Sequence, residues 1–118
     1  MLSFPPSVRI RLATGATDMR KQFDGLAAIA SQVLKEDPLS GHVFVFCNRR
    51  RDRVKLLFWD RSGYWLLAKR LEQGTFAWPA SADSPSLESN VRELMCVLEG
   101  IDLATAKTRP RMDRGPRR

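Results

Sequence analysis

Seven basic side chains are the residues of this chain best suited to do chemistry, and the chemistry they suit is the binding of phosphate groups. Five of them fall within the seven residues that run from Arg49 to Lys55, and two more follow in the next apolar segment. The set is Arg49, Arg50, Arg51, Arg53, Lys55, Lys69 and Arg70. Each cation that neutralises a phosphate releases a condensed counterion, so such a cluster favours a polyanion as ligand. We predict a nucleic-acid-binding site at these residues.

The other reactive side chains form no recognisable catalytic or metal-binding motif. His42 is the single histidine, and Cys47 and Cys96 lack the spacing of a zinc site. The acidic residues within the basic segment are Asp52, Asp60 and Glu72. The first two stand in turn-like contexts, and the scattered glycines do not form a phosphate-binding loop. We therefore predict no enzyme activity, no metal and no cofactor.

Charge is segregated along the chain. The net formal charge of +7 divides into +1 over residues 1–40, +5 over 41–79, −4 over 80–106 and +5 over 107–118. Segregated charge produces a field that steers a polyanion toward one face, whereas evenly spread charge mainly aids solubility. Nucleic acid is the commonest partner of such a surface, and acidic membrane lipid and an acidic protein are the alternatives.

Length and composition indicate one globular domain. The chain has 118 residues, of which 43% are hydrophobic and 28% are charged. We expect a single domain over residues 1–106 and a disordered basic tail over residues 107–118, because the tail lacks core-forming side chains. No export signal is recognisable, and no stretch approaches the ~20 apolar residues of a membrane span. We expect a cytoplasmic protein with no membrane partner and with reduced cysteines.

Apolar periodicity places the basic residues on a small sheet. Alternation of apolar and polar residues, or a short apolar run, predicts strands over residues 8–12, 42–47, 53–59 and 64–70. Short polar connections after the second and third of these strands indicate hairpins, so the last three strands form a meander. The predicted fold class is α+β, in which a small antiparallel meander sheet packs with two helices.

Helical spacing of apolar residues predicts the two helices. One covers residues 23–34, and the other has an apolar stripe from Leu87 to Leu98. Ser84 or Ser86 is expected to cap the second helix, after a linker over residues 80–86. Phe76 and Trp78 suggest a further short strand before that linker.

Side chains alternate faces along the strand over residues 53–59, which places Arg53 and Lys55 on the same face. We expect both to be exposed, close to the loop arginines and to Lys69 and Arg70 on the neighbouring strand. A solvated turn would explain one arginine pair, but five cations in seven residues favour contact with nucleic acid. Core packing is the expected role of the aromatic residues Trp59, Tyr64, Trp65, Phe76 and Trp78. Stacking on unpaired bases would require an exposed ring beside the arginines.

Three segments of the chain together resemble a known family. They are TDMRKQFDGLA at residues 17–27, SGHVFVFCNRRRDRVKLLFWD at 40–60 and GYWLLAKRLEQGTFAWP at 63–79. Their order is similar to that of the TnpB-type accessory proteins encoded by the second open reading frame of IS66-family bacterial insertion sequences. The RNA-guided nucleases that share the TnpB name are a different family.

The resemblance implies a role in DNA transposition beside a separate, larger transposase of the same element, which cleaves and joins the DNA. It implies no catalytic residue in this chain. The implied partners are DNA, at transposon ends or target, and the transposase, with a homo-oligomer as a further option. The implied signature positions are Asp18, Met19, Arg20, Gly25, Arg50, Arg51, Asp52, Lys55, Trp59, Gly63, Arg70, Leu71, Gly74, Trp78 and Pro79.

Two functions are open from the sequence. The first is a non-catalytic accessory protein that binds DNA through its basic β-hairpin and assists the transposase. The second is an adapter that docks the transposase, or another copy of itself, without touching DNA, through an apolar sheet face or the acids Glu88, Glu93 and Glu99. Charge alone does not separate DNA binding from RNA binding.

Overall fold

The predicted meander forms one side of a five-stranded sheet. The computed structural model describes residues 4–79 and 83–99, and the backbone of residues 101–102 and 107–108. Strands β2 (Val43–Cys47), β3 (Arg53–Trp59) and β4 (Tyr64–Arg70) pair antiparallel in chain order. The bounds of β3 and β4 are those predicted. Both connections are short, and in each hairpin the pairing between strands continues as far as the loop.

The remaining strands and the first helix complete the sheet. Strand β1 (Ile10–Ala16) runs parallel to β2, and helix α1 (Phe23–Gln32) connects the two, since parallel neighbours require a crossover. Strand β5 (Ser86–Ser89) pairs antiparallel with the other side of β1, which gives the order β4-β3-β2-β1-β5. The α+β fold is confirmed. The complete sheet is mixed, because β1 and β2 are parallel while the other neighbours are antiparallel.

Apolar side chains cover both faces of the sheet. On the face covered by α1, here called the α1 face, the buried residues are Ala13, Leu26, Ala30, Leu34, Phe44, Phe46 and Leu57. The opposite face packs against helix α2 (Val91–Glu99) and is called the α2 face; its largest buried residues include Ile10, Val45, Leu56, Phe76 and Leu94. Strand β2 lies between the two cores, and all five of its residues are buried.

The second helix begins later than its apolar stripe predicts. Residues 86–89 form β5, with Leu87 opposite Leu12 of β1, so the prediction of a helix from Leu87 is wrong. The strand forms because the outer side of β1 would otherwise leave backbone N–H and C=O groups unpaired. Helix α2 starts at Val91 and is capped by Asn90, whose side-chain oxygen accepts the N–H of Glu93 at 2.8 Å.

The segment from residue 71 to 79 packs on the α2 face without regular secondary structure, so the short strand suggested at Phe76 and Trp78 does not form. Phe76 is buried, and the indole N–H of Trp78 donates to the carbonyl oxygen of Ala13 at 2.9 Å. Of the predicted tail, residues 109–118 lie outside the described residues. Two short strands, β6 (Ile101–Asp102) and β7 (Lys107–Thr108), pair antiparallel. No helix among the described residues is long and apolar enough to cross a membrane.

Asn90→Ala is expected to lower the free energy of unfolding by about 1 kcal/mol, because the first turn of α2 loses its side-chain cap. Asn90→Ser keeps a capping oxygen and should cost only about 0.3 kcal/mol. Urea unfolding followed by circular dichroism measures both changes. Equal losses in the two variants would contradict the assignment of Asn90 as the cap.

Candidate nucleic-acid interface

Asn48 fixes the hairpin loop between β2 and β3. Its side-chain oxygen accepts the backbone N–H groups of Asp52 and Arg53, both at 3.0 Å, and its amide donates to the Asp52 carboxylate at 2.7 Å. The backbone N–H of Arg51 donates to the carbonyl oxygen of Asn48 at 3.1 Å. These bonds close the loop and use Asp52 as a turn former, as its sequence context indicates.

Arg51 turns inward from this loop. Its φ of 60° is in the left-handed region, which costs a non-glycine residue about 1 kcal/mol. One guanidinium nitrogen, Nη2, donates to the carbonyl oxygen of Thr14 at 3.2 Å, and the guanidinium carbon lies 5.7 Å from the centre of the Trp78 ring. The Arg51 carbonyl oxygen accepts the N–H of Phe76 at 2.7 Å. Arg51 therefore joins the loop to β1 and to the segment that follows β4.

Arg49, Arg50 and Arg53 remain on the surface. All three are exposed, and their guanidinium groups have no hydrogen-bond or ion-pair partner within the described part of the chain. Arginine offers five N–H donors in a planar arrangement that matches phosphate oxygens. These three side chains are the basic residues of the hairpin that are available to a ligand.

A surface groove of about 540 Å³ gathers the three free arginines. Its lining, here called the arginine groove, consists of Thr17, Asp18, Met19, Arg20, Asn48, Arg49, Arg50, Asp52 and Arg53. A second depression of about 370 Å³ lies beside it and shares Met19 and Arg53. Four arginines against two aspartates give the arginine groove a net positive charge.

Arg70 extends the positive surface along the α1 face. It lies directly opposite Arg53 in the pairing of β3 with β4, and it lines the second depression. Like charges placed opposite each other across a sheet are unfavourable. The pair is relieved on one side only, because Arg70 Nε donates to the Glu72 carboxylate at 2.9 Å. A bound phosphate would relieve the other side.

Besides Arg51, two more of the seven predicted residues direct their charges to internal partners. Lys55 is half-buried rather than exposed, and its ammonium donates to the carbonyl oxygens of Met19 and Lys21, both at 2.8 Å. The prediction of an exposed Lys55 is therefore wrong, because the loop between β1 and α1 covers it. Lys69 projects to the α2 face, where its ammonium donates to the carbonyl oxygen of Leu98 at 2.6 Å.

The predicted site residues did not include Arg20, which lines the arginine groove from the loop between β1 and α1. Its side chain is 91% exposed and forms an ion pair with Asp18 at 2.7 Å. The side-chain hydrogen bonds from Arg20 hold the pKa of the Asp18 carboxyl at about 2, below its ordinary 3.8. The family resemblance was the only signal that pointed to Arg20, because its approach to the hairpin depends on tertiary packing.

The aromatic residues serve mainly in packing. Phe76 is buried and Trp78 is half-buried, while Trp59 and Tyr64 are half-buried in a T-shaped contact with ring centres 5.2 Å apart. Trp65 is 53% exposed, but it stands at the start of β4, at the opposite end from Arg70. No aromatic residue lines the arginine groove or the depression beside it, so the arrangement suits contact with a phosphate backbone rather than base stacking.

Within the described ranges, no group of three or more histidine, cysteine, aspartate or glutamate side chains is placed to hold a metal ion. Cys47 and Cys96 are free thiols. Cys47 is buried on β2, and its burial raises the pKa of the thiol.

Comparison with known proteins gives a consistent family. The family model described as IS66 Orf2 like protein matches residues 8–108. A protein of Sinorhizobium fredii, y4hO, is 41% identical over 102 residues, which cover 86% of this chain and 88% of that protein. A second protein of the same bacterium, y4jC, is 36% identical over 103 residues, which cover 87% of each chain. Neither name states an activity, and no solved structure matches the chain.

Lys55→Met is expected to lower the free energy of unfolding by about 1–2 kcal/mol, because two backbone carbonyl oxygens lose their ammonium donor. Arg53→Met is the matched control, since it removes one cation from the same face of the same strand. It should change stability by less than about 0.5 kcal/mol. Urea unfolding of the two variants compares them, and equal stability would contradict the internal role of Lys55.

Arg20→Gln is expected to raise the pKa of Asp18 from about 2 part of the way toward 3.8. The backbone N–H of Arg20 still donates to the carboxylate, so the shift should be incomplete. Because folding lowers this pKa, the ion pair stabilises the native state above pH 3.8 and is lost as the pH falls through about 2. Carboxyl carbon NMR titration measures the change. Arg49→Gln should leave the Asp18 pKa in place, and an unshifted value in Arg20→Gln would contradict the assignment.

Proposed function

Because the chain belongs to the IS66 Orf2-like protein family, we propose that it is a non-catalytic accessory protein of DNA transposition that binds the DNA phosphate backbone and assists a separate transposase. The DNA contact is made by Arg49, Arg50 and Arg53 in the arginine groove, with Arg70 beside them. The transposase, encoded by the same element, supplies the cleavage and joining of strands.

The observation that carries this proposal is the division of the basic side chains into paired and unpaired ones. Arg51, Lys55 and Lys69 donate to backbone carbonyl oxygens, whereas the guanidinium groups of Arg49 and Arg50 are exposed and unpaired within the described chain. Arg53 is exposed and faces Arg70. Uncompensated charges held close together by a hairpin attract a polyanion, and residues 4–79 and 83–99 give these arginines no internal partner.

The number of free arginines sets the expected strength of binding. Each phosphate neutralised contributes about 0.9 to the slope of log affinity against log salt for duplex DNA, so three arginines contribute about 2.7. A fourfold rise in salt would then weaken this part of the binding by about 40-fold. Such contacts position a protein on DNA and carry no base sequence information. Selection of transposon ends would therefore come from the transposase.

The acidic side chains give less support to the alternative hypothesis, in which the chain is an adapter that docks the transposase without touching DNA. Glu88 lies within 3.9 Å of the guanidinium groups of Arg9 and Arg11, and Glu93 accepts the hydroxyl of Ser89 at 2.7 Å. These carboxylates already have internal partners, so they offer a weaker docking charge than the arginine groove does. Contact with the transposase is a separate part of the proposal and does not require the acids.

The triple variant Arg49→Ala, Arg50→Ala, Arg53→Ala is expected to reduce the salt slope of duplex binding by about 2.7, because three phosphate contacts are lost. Fluorescence anisotropy with a labelled duplex over a salt series measures the slope. The loss should be equal for transposon-end DNA and random DNA, since backbone contacts do not read sequence.

The matched control is the triple variant Lys35→Asn, Arg61→Asn, Arg92→Ala. It lowers the net charge by the same three units, from +7 to +4, at exposed positions outside the arginine groove. Asn suits the positive φ of 58° at Lys35 and 87° at Arg61. The control should keep the wild-type slope. Equal slopes for the two triple variants would mean that binding follows net charge, and the arginine groove would not be the DNA surface.

A further inference from the structure

The outer side of β4 carries no neighbour in the described part of the chain. β4 is the last strand of the sheet on that side, and its seven residues from Tyr64 to Arg70 all pair with β3 without a register shift. A continuous, unbulged edge is a template for pairing with another strand. This edge does not line the arginine groove, and only its last residue, Arg70, belongs to the proposed DNA contact.

The hydrogen bonds that flank β4 determine which backbone groups point outward. Asp60 N–H donates to the Gly63 carbonyl oxygen at one end, and Leu71 N–H donates to the Asp52 carbonyl oxygen at the other. Alternate residues of a strand bond to the same neighbour, so the odd-numbered residues of β4 bond to β3. The N–H and C=O groups of Tyr64, Leu66, Ala68 and Arg70 consequently face away from the sheet.

The side chains along this edge protect it against pairing with another strand at one end only. Native edges are usually protected by proline, bulges, short length or charge. β4 has neither proline nor a bulge, and its two cations, Lys69 and Arg70, are both at its C-terminal end. Its N-terminal end carries Tyr64 and Trp65, and Trp65 is 53% exposed. The N-terminal end of β4 therefore lacks protective charge, whereas its C-terminal end carries two cations.

We infer that two copies of this chain pair through their β4 strands, antiparallel and symmetric about Leu67. In this register Leu66 and Ala68 bond to Ala68 and Leu66 of the second copy, and Tyr64 and Arg70 bond to Arg70 and Tyr64 in the same way. Every outward N–H and C=O group of β4 then finds a partner. The interface is isologous, as in most soluble homodimers.

The side chains of β4 complement themselves in this arrangement. Trp65 lies opposite Lys69 of the second copy in a close, non-hydrogen-bonded pair, and Tyr64 lies opposite Arg70, so the apolar stem of each cation packs beside an aromatic ring. The strand rise separates Lys69 from its symmetry mate by ~14 Å and Arg70 from its mate by ~20 Å. Both separations exceed the screening length of about 10 Å at 0.1 M salt. Repulsion between these symmetry-related cations is therefore largely screened.

The dimer has a defined consequence for the positive surface. A two-fold axis perpendicular to the sheet places both α1 faces on the same side of one ten-stranded sheet, since each copy contributes five strands. Arg53 and Arg70 belong to the α1 face in each copy. The positive surfaces of the two copies would then lie on the same side of the dimer and run in opposite directions along it.

Disulfide trapping tests the register directly in the full chain. Cys96→Ser removes the more accessible thiol, whereas Cys47 has 0% exposure and stays in place. In this background Leu67→Cys should form a covalent dimer on mild oxidation, because the two sulfur-bearing residues meet at the axis, with Cα atoms about 4.5 Å apart. Trp65→Cys is the control, since its symmetry mate lies ~14 Å away along the strand. Equal cross-linking in the two variants would overturn the register.

Ala68→Pro tests the pairing without a new thiol. Proline removes one outward N–H and leaves the bonds between β4 and β3 in place, so the fold should persist, which circular dichroism checks. Sedimentation over about 1–200 µM protein should show a dimer for the wild-type chain. For Ala68→Pro the dimer dissociation constant should rise by about tenfold or more. A wild-type chain that is monomeric across this range, or a folded Ala68→Pro chain that dimerises as the wild type does, would overturn the inference.

Discussion

Burial of β2 on both faces is the constraint on which the rest of the structure depends. All five of its side chains are buried between the two cores, and its backbone bonds to β1 on one side and to β3 on the other. Where such a buried strand ends, the backbone N–H and C=O groups of the turn that follows need hydrogen-bond partners. Asn48 provides that turn at the end of β2, and the arginines of the loop are held at one end of the sheet as a result.

The fold gives chemically similar cations different tasks. Lys55 and Lys69 have long flexible stems that reach neutral carbonyl oxygens, one in the loop before α1 and one at the end of α2. Each lysine therefore fastens a loop or a helix to the sheet. Arg49 and Arg50 sit in the loop of a hairpin, where they bond to no such acceptor among the described residues, and their charges stay in solvent. Arg51 belongs to the same loop but is paired internally, so position relative to the sheet, rather than residue type, separates the paired cations from the free ones.

Local features of the sequence predicted the meander well, and distant pairings less well. The bounds of β3 and β4 follow from alternating side chains and nearby turn residues, which act over a few positions. The parallel pairing of β1 with β2 and the addition of β5 to β1 join residues far apart in the chain, and periodicity contains no information on them. The spacing of Leu87 fits the apolar stripe of a helix, but its backbone pairs with the open side of β1 and forms a strand instead.

The same distinction explains the candidate site. Alternation correctly placed Arg53 on one face, and its exposure is confirmed, but the loop that covers Lys55 comes from a segment more than thirty residues earlier in the chain. Face assignment is a local property, whereas exposure depends on what packs above that face. Arg20 enters the arginine groove for the same reason, through the path of the chain between β1 and α1.

The inward turn of Arg51 means that the three consecutive arginines differ in how they tolerate lysine. At positions 49 and 50 an ammonium would keep a positive charge in water, although it lacks the planar set of donors. At position 51 the flat guanidinium lies against an indole ring and reaches the backbone of another strand, and an ammonium reproduces neither contact. A lysine at position 51 would therefore detach the loop from β1 and from the segment after β4, whereas a lysine at position 49 or 50 would leave the fold intact.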